Sequence, residues 1–323
     1  MLPAAALFPP GSPCFYPRTP YNRVRSGANR MRYKPKRRSL LFVPAIKPRF
    51  YERALAGEAD TITFDLEDSV APESKSEARD LLANAFPHMD GSAKELSIRI
   101  NAPSSPFYQD DLALLKTLKP RTVVLSKVES PAEIQAITPV LSLWDMPDSS
   151  ANLIVLIETI AGYYRAREIL GSSPRITAVM LGMEDLAGEM GIPRGTLSEN
   201  PLLNHMQIEI AIAAHFHGLQ CLGPVSRGYG QEANLRDLEA ECLYLRKMNV
   251  RGKFAIHPSQ LPIINRVFDI TPEQIEQARR VVAMFESRAD GTTVITQDQQ
   301  MEDLPSLTSA RHLITYAEEH GFG

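Results

Sequence analysis

A chain of 323 residues, 44% of them hydrophobic and with a formal net charge of −3, has the balance of a globular protein holding one large domain or two small ones. That balance excludes a basic nucleic-acid binder, and no apolar run is long enough to cross a bilayer. Cys14, Cys221 and Cys242 form no close pair and fit no zinc spacing, which points to a reducing compartment.

The first 36 residues differ in kind from the rest. From Met1 to Tyr51 there is no Asp or Glu, whereas Arg18, Arg23, Arg25, Arg30 and Arg32 recur. Prolines at 3, 9, 10, 13, 17, 20 and 35 oppose a stable helix. Residues 1–36 therefore read as a disordered basic leader. Its composition fits a mitochondrial transit peptide; the alternatives are a plain extension, a start at Met31, and a cytosolic protein.

After Arg38, short β-rich runs alternate with helical stretches. The runs are SLLFVP (39–44), DTITFDLED (60–68), ELSIRIN (95–101), TVVLSKV (122–128), LIVLIE (153–158), ITAVMLG (176–182), LQCLGPV (219–225) and FAIHP (254–258). Between them, Pro48, Pro72-Glu73 and Pro131-Ala-Glu133 mark helix starts, and Leu202 to Phe216 carries apolar residues at helical intervals. Eight β runs, each followed by a helix over about 250 residues, predict an α/β fold of the TIM, or (β/α)₈, barrel type. The barrel is expected over residues 37–288. An open doubly wound sheet would need a Gly-rich turn after its first strand, and SLLFVPAIKP has none. Residues 289–305 are polar with one short β run, and SLTSARHLITYAEEHG reads as a terminal helix. The polar segment is either packing for the barrel's underside or a lid, and residues 289–323 are expected as a C-terminal lid segment and helix.

Charged residues gather where strands end. Asp65, Glu67 and Asp68 follow the second strand, Arg99 ends the third, Lys127 follows the fourth, Glu158 the fifth and Asp185 the sixth. Strand direction puts them all at one mouth, where barrel active sites form. Acids closing adjacent strands can hold one hard cation between them, and oxygen-only ligands suit Mg²⁺. Each acid also has a plainer reading as a cap for the helix that follows. His257, at the end of the eighth strand, is either a base or a hydrogen-bonded structural residue fixed by Pro258.

The same stretches carry a family resemblance. RSLLFVP (38–44), DLEDSVAPESKSEAR (65–79), IRIN (98–101), KVES (127–130), IETIAG (157–162), GMEDLAGEMG (182–191), AIHPSQ (255–260) and the tail MEDLPSLTSAR (301–311) resemble the citrate lyase β-subunit-like family. That family belongs to the HpcH/HpaI aldolase group, which includes malyl-CoA and citramalyl-CoA lyases. The resemblance implies a Mg²⁺-dependent carbon–carbon lyase that splits a 3-carboxy-3-hydroxyacyl-CoA thioester into acetyl-CoA and a 2-oxo acid. By motif position it makes Glu158 and Asp185 the metal ligands and Arg99 the arginine facing the reacting oxygens. Glu67, with Asp65 and Asp68, would hold metal-bound water. Asp303 would be the acid/base of a C-terminal lid offered to a neighbouring subunit, in a homo-oligomer expected to be a trimer. Arg49 and Lys75 are the expected contacts of the CoA phosphates. Three positions depart from the family pattern: Ala45, Ser126 and Cys221 stand where glycine, proline and aspartate are frequent, which bears on substrate choice. The competing readings are an aldolase releasing pyruvate from a free hydroxy-oxo acid and an accessory β subunit of a citrate lyase complex.

Overall fold

The computed structural model describes residues 35–89, 91–145, 150–287, 294–297 and 300–322. All but the last two residues of the expected leader lie outside the described residues, as does the expected boundary at 288–289. Eight strands make one parallel sheet: β1 (Ser39–Pro44), β2 (Thr61–Asp65), β3 (Glu95–Ile100), β4 (Thr122–Leu125), β5 (Asn152–Ile157), β6 (Ile176–Leu181), β7 (Gln220–Leu222) and β8 (Lys253–Ala255). Their order is β7-β6-β5-β4-β3-β2-β1-β8. A single parallel bridge between Gly223 and Lys253 joins the two ends, so the sheet closes as the predicted barrel.

Each strand is followed by helix. These are α1 (Tyr51–Ala56), α2 (Lys75–Ala85), α3 (Tyr108–Leu118), α4 (Pro131–Leu141), α5 (Ile160–Tyr164) with α6 (Ala166–Gly171), α7 (Met183–Met190) with α8 (Pro201–His217), α9 (Glu232–Lys247) and α10 (Leu261–Phe268). Local chemistry fixes several of the starts. Ser130 and Glu133 form a capping box on α4, and the Asn200 side chain accepts from Leu202 and Leu203 at the start of α8.

Alternation along the strands divides the core in two. Leu40, Val124, Ile154, Leu156, Ala178, Met180, Leu222 and Phe254 pack inside the ring, while residues on the other face of the strands, such as Leu41, Ile62, Phe64, Ile98 and Val155, pack against the helices. On β2 and β3 the inward positions are polar. At the bottom, Arg37 donates from Nε to Glu95 Oε2 (2.6 Å) and from Nη1 to Thr177 (3.0 Å), and Glu95 also accepts from Thr61 (2.8 Å). One layer up, the hydroxyls of Thr63 and Ser97 are 2.8 Å apart. Above them stand Asp65 and Arg99, paired in register across β2 and β3. A polar column thus rises through an otherwise apolar barrel and ends at the mouth.

After α10 come α11 (Pro272–Glu286), the antiparallel hairpin β9 (Val294–Gln297) and β10 (Gln300–Asp303), and α12 (Leu304–His320). The apolar side of α12 packs on α11, with Ala310 against Ala278 and Val281, and Ala317 against Ile270 and Ile275. Its last turns meet residues that precede strands: the Arg251 guanidinium is 5.2 Å from the Tyr316 ring centre, and His320 Nδ1 is 3.1 Å from the Pro35 carbonyl oxygen. The terminal helix therefore lies at the barrel's underside. Its apolar stripe needed a partner and found it on α11.

Candidate active site

The mouth is built around a guanidinium. Arg99 donates from Nε to Asp65 Oδ1 (2.6 Å) and from Nη2 to Asp65 Oδ2 (2.7 Å). This bidentate geometry is the strong form of an arginine–carboxylate pair. The main-chain N–H groups of Glu67 and Ser69 also donate to Asp65. Burial alone would raise the Asp65 carboxyl, but the Arg99 charge and its hydrogen bonds hold it below the usual carboxylate range. With two nitrogens engaged, Nη1 of Arg99 is the donor left facing Glu67 Oε2 (3.0 Å) and Asp68 Oδ2 (3.3 Å). The Phe42 ring lies under the guanidinium, 4.4 Å from its carbon.

Glu158, the first residue past β5, is buried, and its Oε1 accepts the Lys127 main-chain N–H at 2.8 Å. Burial first, then the neighbouring Glu67 carboxylate, pushes the Glu158 carboxyl up to about 8, with Arg99 and Lys127 opposing. Asp185, in the first turn of α7, is raised by burial against the pull of Lys127. Glu67 is also raised, by burial and then by Asp68, although Arg99 and Lys127 favour its charged form. Its Oε1 accepts from the Lys127 ammonium, while its buried Oε2 has no aligned hydrogen-bond donor among the described residues.

The structure thus brings Arg99, Glu67, Glu158 and Asp185 together at one mouth, along with Asp65 and Asp68. It also brings in Lys127, which strand order places at this mouth without a role, and adds Gly182, which the sequence reading missed. Lys127 sits among the acids, in the left-handed region at φ 50°, with its ammonium 3.4 Å from Asp68 Oδ1 and 3.5 Å from Asp185 Oδ1. Gly182 packs against Glu158 so closely that a side chain there would meet its carboxylate. The positive φ of Lys127 has no sequence signature. The glycine just after an apolar strand is a signal that close backbone approach could have explained.

Other expected residues lie apart. Arg49, on the 3-10 turn Pro48–Phe50 after β1, is exposed on the loop rim, stacked on Phe50. Lys75 is buried, and its ammonium donates to the carbonyls of Leu66 and Glu67, both at 2.7 Å. That corrects its expected role at the CoA phosphates: it braces the acidic loop from beneath. Asp303 caps α12, its Oδ1 accepting from the N–H and hydroxyl of Ser306 (both 3.0 Å), and among the described residues it makes no contact with its own chain's mouth. His257 caps the 3-10 turn Pro258–Gln260 by accepting from Ser259 N at 3.1 Å, and stacks on Tyr229. That arrangement is the structural reading. Ser126 donates to the Ile100 carbonyl, and Cys221 turns towards Gln207 of α8, away from the barrel interior.

Two carboxylates with oxygen-only donors leave the remaining octahedral positions of a Mg²⁺ ion to substrate and water, which is how this ion is commonly held. Glu158 and Asp185 fit that requirement. Both are raised by burial, which favours the proton over the bare charge, and Glu67 Oε2 beside them has an ion contact with Arg99 but no aligned hydrogen bond among the described residues, which leaves it able to hold a water. Among the described residues no group of three or more His, Cys, Asp or Glu is arranged to hold a metal ion.

Residues 38–258 match the HpcH/HpaI aldolase/citrate lyase family. Among curated relatives, a (3S)-malyl-CoA thioesterase of Cereibacter sphaeroides is 33% identical, over 87% of this chain and 94% of that protein. An L-malyl-CoA/β-methylmalyl-CoA lyase of Rhodobacter capsulatus is 30% identical with the same coverage. Among solved structures, CitE from Mycobacterium tuberculosis in complex with magnesium, acetoacetate and coenzyme A superposes with a TM-score of 0.69 at 27% identity, covering 88% of this chain and 98% of that one. The chain belongs to the HpcH/HpaI aldolase/citrate lyase family.

Proposed function

We propose that this family member is a Mg²⁺-dependent carbon–carbon lyase that cleaves a 3-hydroxyacyl-CoA thioester bearing a 3-carboxylate into acetyl-CoA and a 2-oxo acid. The observation that carries the reading is the convergence of Glu158 and Asp185 on one residue, the former on the N–H of Lys127 and the latter beside its ammonium. The two acids therefore flank a common space at the mouth.

Bound Mg²⁺ supplies a Lewis acid that lowers the pKa of the substrate hydroxyl. Glu67, with its proton affinity raised by burial and its Oε2 without an aligned hydrogen bond among the described residues, accepts the hydroxyl proton directly or through water. As the hydroxyl becomes a carbonyl, the carbon–carbon bond breaks and its electrons pass into the thioester as an enolate. Nη1 of Arg99, the donor that Asp65 leaves available, stabilises the developing oxyanion. A proton from Asp303 then converts the enolate carbon to the acetyl methyl group. Among the described residues Asp303 makes no contact with its own mouth, which supports delivery to a neighbouring copy in a homotrimer; light scattering on the purified chain tests that assembly. The basic, acid-free leader supports mitochondrial delivery, which localisation of a full-length fluorescent fusion tests.

The thioesterase relative, more similar than the lyase, favours a second reading: hydrolysis of the thioester. One assay separates the two. Purified protein with Mg²⁺ is given malyl-, citramalyl- and citryl-CoA in turn. A lyase releases acetyl-CoA and a 2-oxo acid in equal amounts, whereas a thioesterase releases free CoA and the intact hydroxy acid. Cleavage at full rate after chelation would refute the metal's role in either.

A further inference from the structure

The mouth holds more negative charge than its own cations offset. Among the described residues, Arg99 and Lys127 make the ion contacts to the carboxylates of Asp65, Glu67, Asp68 and Asp185, and Glu158 accepts the Lys127 main-chain N–H. The Lys75 ammonium, held by main-chain carbonyls, adds its charge from nearby. Fully ionised, five acids against three cations, Lys75 included, leave two negative charges in a partly buried space. Arg99 is fixed by its fork on Asp65. Lys127 has a different attachment. Its main chain is tied to Glu158, whereas its ammonium lies at the end of a flexible stem, contacting Glu67 closely and Asp185 only at 3.5 Å. The left-handed backbone at a residue with a side chain is a cost the fold accepts, and it lets one residue meet both acids assigned to the metal.

Resting on the metal reading above, we propose that Lys127 is a tethered counter-ion: it neutralises the metal-binding acids while the site is empty and gives up Asp185 to the arriving ion. Its contacts with Glu67 and Asp68 provide the place to which it retreats. The ammonium is thus a positioning group that keeps the acids together before the metal does, and a competitor that weakens metal affinity. Charges this close, in a partly buried site, interact strongly enough for removal of one to be measurable.

The test is Lys127→Gln, with Lys127→Arg as the variant that keeps the charge, each in the full chain with Mg²⁺ alone as probe. Calorimetric titration and thermal denaturation are read with and without the ion. Lys127→Gln is expected to melt about 2–4 °C lower when metal-free and to bind Mg²⁺ at least about threefold more tightly than wild type. Lys127→Arg is expected to match wild type in both. Weaker Mg²⁺ binding by Lys127→Gln would mean that the lysine merely builds the ligand geometry, and overturns the proposal. So would an unchanged metal-free melting temperature, or an arginine variant that behaves like the glutamine one. A wild-type protein that binds no Mg²⁺ overturns the metal reading itself and takes the proposal with it.

Discussion

A Cβ built on Gly182 would stand 2.3 Å from the Cβ of Glu158 and 2.5 Å from its Oε2. Gly182 has φ −82° and ψ 85°, which alanine also tolerates, so only the collision penalises a substitution. Gly182→Ala is therefore expected to displace the Glu158 carboxylate while the barrel stays folded. Mg²⁺ affinity should fall at least about tenfold, as displacing a first-hand ligand does. Titration calorimetry beside circular dichroism checks this, and wild-type affinity in a folded variant would refute the contact.

Protons and metal compete for Glu158. In the metal-free protein its carboxyl is pushed up to about 8 from an ordinary 4.5. The folded state thus holds this proton more tightly than the unfolded chain does. Stability from that source is complete below the ordinary value and is lost as pH rises through about 8. Glu67 and Asp185 shift in the same direction, while Asp65 shifts the opposite way. Mg²⁺ displaces the proton, so its stabilising effect should grow between about pH 6 and about pH 8. Melting temperatures with and without Mg²⁺ across that range test it; an increment independent of pH would contradict it.

Lys75 and Arg49 should separate into brace and ligand. Lys75→Met leaves the carbonyls of Leu66 and Glu67 without their donor, an expected loss of about 1–3 kcal/mol of stability. Arg49→Ala, on the exposed rim, should leave the melting temperature alone and raise KM for a CoA thioester about threefold or more at unchanged kcat. Equal melting temperatures for wild type and Lys75→Met would show that the brace carries no weight.

Asp303→Asn retains an N-cap of nearly equal quality, so α12 should remain intact. Mg²⁺ binding should be unaltered and kcat lower by about a hundredfold, the range of a lost general acid. Single-turnover kinetics place the loss in the chemical step. A parallel fall in metal affinity would show that Asp303 belongs to the metal site.

Much of this was legible in order along the chain. All eight barrel strands lie within one or two residues of their apolar runs at the start, although several runs overshoot at the end. DTITFDLED, for example, leaves the sheet at Asp65, where its side chain turns to Arg99. The strand-end acids were visible because a carboxylate after an apolar run must point out of the sheet. What was not legible depends on distances across the fold. Strand order puts Lys127 at the mouth but does not say which acid its ammonium meets: Glu67 lies 60 positions away. Lys75 opens an amphipathic helix, where a lysine is ordinarily exposed; only the two carbonyls above it turn it inward. The tail's destination was ambiguous because a polar hairpin followed by an apolar-striped helix suits either end of a barrel.

The ring has a clasp. Neighbouring strands elsewhere share three to five paired residues, but β7 and β8 meet through the bridge of Gly223 and Lys253. The acids and Arg99 hang from β2 to β6, on the firmly knitted arc. The least-paired seam of the ring thus lies apart from the strands that carry the reacting groups, so fraying there would leave their spacing in place.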